Sequence, residues 1–168
     1  MKKTVFTFAM LVALSLSVCG QNSNRKILRD LADSDDVTRI SIGSVGMFFA
    51  KLAGGLNGIP ELKGIKSLEV LAVNDECSGK RKEEIKKQIA KLSDDAEYVT
   101  LMDVKDGGDK VRMMIRQEGD DIVRELLFAV VSNDDDSAVI RIKGKMKLSE
   151  IQEMIEKGEI NINVNKKN

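Results

Sequence analysis

Few residues in this chain have the type and spacing that covalent chemistry needs. Histidine is absent from all 168 positions, which removes the commonest general base near neutral pH and the commonest zinc ligand. A serine–histidine or cysteine–histidine hydrolase is thereby excluded. Cys77 has no histidine to take its proton and reads as a packed, inert thiol rather than a nucleophile. One S-x-x-K spacing occurs, Ser23 to Lys26, but it falls where fraying would spoil any catalytic geometry. No G-x-G-x-x-G or Walker-type run is present. The clusters Asp33/Asp35/Asp36 and Asp134/Asp135/Asp136 could offer oxygens to calcium. Neither has the D-x-[DN]-x-[DN]-G spacing with a distal glutamate, so solvated turn carboxylates are the simpler reading. Among 27 acidic residues no pair stands out for carboxylate-only catalysis. No catalytic, cofactor-binding or metal-ligating residue is nominated, and no cofactor is expected.

The remaining reactive position is Cys19, and it belongs to a leader. Lys2 and Lys3 precede an apolar run from Val5 to Val18, and the chain turns polar at Gln21, the order of a secretory signal. About 14 residues of helix reach about 21 Å, short of the roughly 30 Å hydrocarbon core. Residues 1–20 are therefore read as a signal peptide and the protein as exported. Val18-Cys19-Gly20 before Gln21 suits an ordinary signal peptidase. Leu16-Ser17-Val18-Cys19 also resembles a lipoprotein signal, in which Cys19 is acylated, although Val18 stands where that pattern has Gly, Ala or Ser. Both remain open: a periplasmic protein, or an outer-membrane lipoprotein touching the membrane only through its lipid.

From Gln21 to Asn168 there is enough chain for one domain with a real core. The whole chain has 27 basic and 27 acidic residues, and no basic excess exists to gather nucleic-acid phosphates. Ile27, Leu28 and Leu31 suggest a short helix, Val37 to Gly43 a strand, and Ser44 the cap of a helix carrying Met47, Phe48, Phe49 and Leu52. Gly54 to Gly64 holds four glycines and the only proline, Pro60, and is expected to be irregular. Leu68 to Val73 reads as a buried strand and Ser78 to Leu92 as a helix. From Glu97 the period becomes two. Tyr98 to Val104, Lys110 to Arg116, Ile122 to Val131 and Ala138 to Lys143 are joined by short polar turns, which predicts an antiparallel meander. Ser149-Glu150-Ile151-Gln152 has the form of a capping box opening a last helix that stops at Gly158, and Glu159 to Asn168 alternates as an edge strand or a frayed tail would.

The expected fold class is α+β: a mostly antiparallel sheet of about six strands with a C-terminal four-strand meander, packed against helices on one face. Ile122 to Val131 is apolar on both faces, so either helices lie on both sides or one face is an interface. Met102, Met113 and Met114 are expected to fill the core, with an exposed methionine patch as the other reading.

Several stretches together resemble a bacterial envelope family called domain of unknown function 4252. They are Val37-Thr38-Arg39-Ile40-Ser41-Ile42 with the Met47-Phe48-Phe49 helix, and Tyr98-Val99-Thr100-Leu101-Met102-Asp103-Val104. Asp109-Lys110-Val111-Arg112 and Val139-Ile140-Arg141-Ile142-Lys143-Gly144 complete the likeness, which covers roughly residues 25 to 157. The resemblance implies a secreted or lipid-anchored protein with no assigned reaction. Through family members found beside extracytoplasmic sigma-factor genes, it also implies a role in envelope stress or sigma-factor regulation.

Two functions are weighed on this basis. The first is a non-catalytic interaction module whose partner is another envelope protein, met by a sheet face that helices leave bare. The second is a small-ligand carrier or histidine-free enzyme with its site under the Gly54 to Gly64 loop. A cavity of about 300 Å³ or more beneath that loop, with converging charged groups, would favour the second.

Overall fold

The computed structural model describes residues 24–44, 64–133 and 137–157. Helix α1 (Asn24–Ala32) leads into strand β1 (Val37–Ile42), followed by β2 (Ile65–Val73), α2 (Gly79–Ala90) and β3 (Tyr98–Asp106). Strands β4 (Asp109–Glu118), β5 (Ile122–Val131) and β6 (Ala138–Lys147) come next, and α3 (Leu148–Glu156) closes the order. The helix expected from Ser44 onward, the glycine-rich loop before Gly64, the Asp134 to Asp136 cluster and the tail after Lys157 lie outside the described residues.

The six strands form one antiparallel sheet in the order β1-β2-β6-β5-β4-β3. The meander from β3 to β6 is as the alternation predicts. Its β3–β4 turn is only Gly107-Gly108, both at positive φ, the conformation a two-residue hairpin requires. The order is not a simple meander throughout, because β2 returns to pair with the last strand and places β6 inside the sheet.

Helices cover both faces, not one. Ile27, Leu28 and Leu31 of α1 and Ile85 and Ile89 of α2 pack with Leu71, Met114, Leu127, Ala129 and Val139 on the first face. Ile151 and Met154 of α3 pack with Met113, Leu126, Phe128, Ile142 and Met146 on the second. The cause lies in β5, whose apolar side chains point both ways and each need cover. Met113 and Met114 are fully buried on opposite faces and Met102 is partly buried, so these methionines fill two cores rather than form a surface patch.

The capping box at Ser149 does not form. Strand β6 runs straight into α3, Lys147 holds the N-cap position, and the Leu148 N–H donates to the Asp121 carbonyl at 2.9 Å. A backbone oxygen from the β4–β5 turn thus satisfies the first N–H of the helix. At the other side of β6, Gly144 lies against Gly64, which holds a positive φ of 89°. A Cβ on Gly144 would come within 2.3 Å of the Gly64 carbonyl oxygen. Gly144→Ala should therefore lower stability by about 1–3 kcal/mol, read as a fall in the urea midpoint; an unchanged midpoint would show that β2 and β6 can separate there at no cost.

Candidate functional site

The first face of the sheet is apolar only at one end. Where the packing of α1 and α2 stops, a rank of polar side chains crosses all six strands: Arg39, Glu69, Arg141, Glu125, Arg116 and Tyr98. Strand periodicity selects them, since Glu69 stands two residues from Leu71, Glu125 two from Leu127 and Arg141 two from Val139, all on the face that α1 and α2 cover. Register aligns them. Glu69 is opposite Arg141, Arg116 opposite Glu125, and Tyr98 opposite Arg116.

Charge alternates along the rank. Arg39 Nη2 lies 2.7 Å from Glu69 Oε1, and Arg141 Nη1 lies 2.6 Å from Glu69 Oε2. Arg141 Nε donates to Glu125 Oε1 at 2.9 Å, and the Tyr98 hydroxyl donates to the same oxygen at 2.9 Å. Glu125 is the hub, and its side chain is only 3% exposed. Burial pushes the Tyr98 phenol up, and the neighbouring Glu125 carboxylate adds to the shift. Burial alone would lower the Arg141 pKa, but Glu125 and Glu69 outweigh it and the net shift is upward.

Beside the rank is an open hollow of about 490 Å³. The sheet contributes Arg39, Tyr98, Arg116, Glu125, Arg141 and Lys143, and α1 contributes Arg25 and Arg29 four residues apart on one helix face. The half-buried Ala32 adds a little apolar surface, and Asp33 is the only lining carboxylate from the helix side. Six cations thus meet two lining carboxylates in a chain of zero formal charge. Strand irregularities fall at the same place, between Arg116 and Gln117 on β4, between Val123 and Glu125 on β5, and between Ile65 and Ser67 on β2. Such bulges raise local twist and re-aim side chains.

Helix α1 is tied to the start of β3 by its first residue. Asn24 N–H donates to Asp95 Oδ2 at 3.0 Å, and its side-chain amide exchanges two hydrogen bonds with the Ser93 backbone. Asp95 Oδ1 also accepts from the N–H groups of Glu97 and Tyr98, both at 2.8 Å. Partial burial acts to raise the Asp95 pKa, but these three N–H donors outweigh it and hold the carboxyl below its ordinary value. One carboxylate therefore caps the helix and fixes the strand, setting Arg25 and Arg29 over the hollow.

The residues weighed from sequence lie elsewhere. Cys77 packs partly buried against the first core, and burial and the nearby Asp36 raise its thiol pKa, against a nucleophilic role. Asp36 is engaged by Arg81 at 2.8 Å, which lowers its pKa, while Asp33 and Asp35 are exposed. Lys26 is exposed on α1, and Ser23 and Cys19 lie outside the described residues. Sequence reading missed the rank. The signal for it was a glutamate and an arginine embedded in β5 and β6, at positions whose neighbours two residues away are core.

The family model for a domain of unknown function, DUF4252, matches residues 32–154. No curated protein and no solved structure matches the chain.

Two outcomes follow from the rank. Glu125→Ala leaves the buried Arg141 with Glu69 alone and removes the acceptor of both the Arg141 Nε and the Tyr98 hydroxyl, and should destabilise by about 3–5 kcal/mol in denaturant unfolding; a loss below about 1 kcal/mol would mean that water already screens the pair. Tyr98 is the chain's only tyrosine and tryptophan is absent, so phenolate absorbance reports on it alone. Because its folded pKa is raised, its contribution is complete below the unfolded value of about 10 and is lost as pH rises toward the folded one. Ionisation should be delayed beyond the free-tyrosine range and coincide with loss of structure by circular dichroism; titration near 10 with the fold intact would contradict the Glu125 hydrogen bond.

Proposed function

The chain belongs to the DUF4252 family, and we propose that it is a non-catalytic binding protein of the bacterial envelope that holds an anionic group in the hollow beside the charged rank. The observation that carries this reading is the concentration of six cations around a cavity of about 490 Å³ in a chain with no net charge. A hollow whose lining carries an excess of one sign of charge attracts the opposite sign. The volume lies within the range of small-ligand sites. Interaction through a bare sheet face loses its argument, because both faces of β5 are covered. An envelope partner would engage instead through carboxylates or another anion presented to the hollow.

Export is supported by the Lys2/Lys3 and Val5 to Val18 pattern, with Cys19 the residue that a lipoprotein signal would acylate. Among the described residues no helix is long and apolar enough to cross a membrane. The link to envelope stress or sigma-factor regulation rests on the family resemblance alone. A non-catalytic role is supported by the absence of histidine and by the carboxylates of the rank, which are engaged by arginines rather than left to move protons.

Crosslinking in the host envelope should capture a species with the full-length protein that an Arg29→Met/Lys143→Met variant fails to capture. Equal capture by both would remove the hollow as the binding site. Intact mass from the same sample should read either a chain starting at Gln21 or one starting at acylated Cys19; an uncleaved leader would contradict processing.

A further inference from the structure

The cations around the hollow fall into two groups. Arg25, Arg39 and Arg141 are each held by a carboxylate: Arg25 by Glu97 at 2.6 Å, Arg39 by Glu69, and Arg141 by Glu69 and Glu125. Arg29 and Lys143 line the same hollow with no side-chain hydrogen bond or ion pair among the described residues. Arg116 stands closer to the second group. Its nearest carboxylate oxygen, Glu125 Oε2, is 3.6 Å away, beyond hydrogen-bond reach, and its buried Nε has no partner. The guanidinium is thus only loosely engaged and its side chain stays 29% exposed, so Arg116 has charge to offer an occupant.

Charge sets the valence of that occupant. Glu97 offsets Arg25, and the rank sets three arginines against Glu69 and Glu125. With Arg29 and Lys143 added and Asp33 opposing them, two positive charges remain unmatched. A dianion neutralises the site and a monoanion does not.

Geometry narrows the class further. The three available cations stand on separate elements: Arg29 on α1, above the sheet, and Arg116 and Lys143 on β4 and β6, the strands that flank β5. A planar carboxylate presents its lone pairs in one plane. A phosphate monoester presents three oxygens spread about phosphorus and carries about −1.5 to −2 charges at pH 7. Arginine forks and a lysine point charge are the usual receivers of such a group. The hollow is larger than a phosphoryl group needs, and the half-buried Ala32 and the stems of its arginines leave room there for a small organic group.

We infer that the hollow is a site for the phosphate monoester of a small organic group, held by Arg29, Arg116 and Lys143. This rests on the anion-binding reading above and names the ligand class for the same site.

The test is calorimetric titration of the full processed chain in low-salt, phosphate-free buffer with phenyl phosphate, benzenesulfonate and succinate. Phenyl phosphate should bind at least roughly tenfold tighter than either competitor, and its affinity should rise with pH through about 6, where the dianion forms. Arg29→Met and Lys143→Met should each weaken it by roughly tenfold with an unchanged melting temperature, while Arg124→Gln, whose partner is Glu118, leaves it unaltered. If succinate or benzenesulfonate binds as well as phenyl phosphate and the same variants lose it, the phosphoryl assignment is overturned and anion binding stands. If none of the three binds, both readings fall.

Discussion

The structure depends on keeping two carboxylates inside a sheet. Glu125 and Glu69 are almost entirely withdrawn from water, and an ionised carboxylate so placed is tolerable only when cations and hydrogen-bond donors replace its hydration. Arg141 serves both at once, with Nη1 on Glu69 and Nε on Glu125. It can do so only because β6 lies between β2 and β5. Were the meander left open with β6 at an edge, Glu69 would have no arginine on that side. Strand order and electrostatics are therefore a single constraint, and Tyr98 and Arg39 extend it to both edges of the sheet.

The rank also explains why a hollow exists. Apolar side chains on the first face stop where the charged rank begins, and the helices that need apolar contact stop with them. The sheet continues past that limit through Lys143 and beyond. What is left is a shelf of charged side chains with α1 as one wall. The carboxylates hold part of the positive charge in place and leave part of it unmatched, which distinguishes this shelf from an ordinary solvated sheet face.

Local pattern sufficed for much of the fold. Alternation located all four strands of the meander, and the paired glycines between Asp106 and Asp109 identified a tight turn because only such residues take its backbone conformation readily. The two-faced run of β5 announced that both sides needed cover, though not which helices would supply it. The pairing of β2 with β6 was beyond local reading, since it joins segments some 70 residues apart and nothing near Leu71 names its neighbour. The serine of the apparent capping box failed for a related reason: β6 carries the chain straight into the helix, which begins at Leu148 and leaves Ser149 inside its first turn. The rank was missed because arginine and glutamate on a strand usually face water. Their burial is visible only once the strands are aligned, which turns isolated charges into pairs.

The return of β2 to β6 also sets an order of events for a chain synthesised from its N-terminus. Hairpins from β3 to β6 close over short loops, whereas the hydrogen bond from Arg141 to Glu69 spans 72 positions. Closing so long a loop comes late and slowly compared with local pairing. Until β6 emerges, β2 has no inner neighbour and Glu69 no arginine on that side, so the early half of the sheet must wait as an unfinished edge. Among the described strands the last made is the one that completes the charged shelf, and a chain interrupted before Arg141 would have neither.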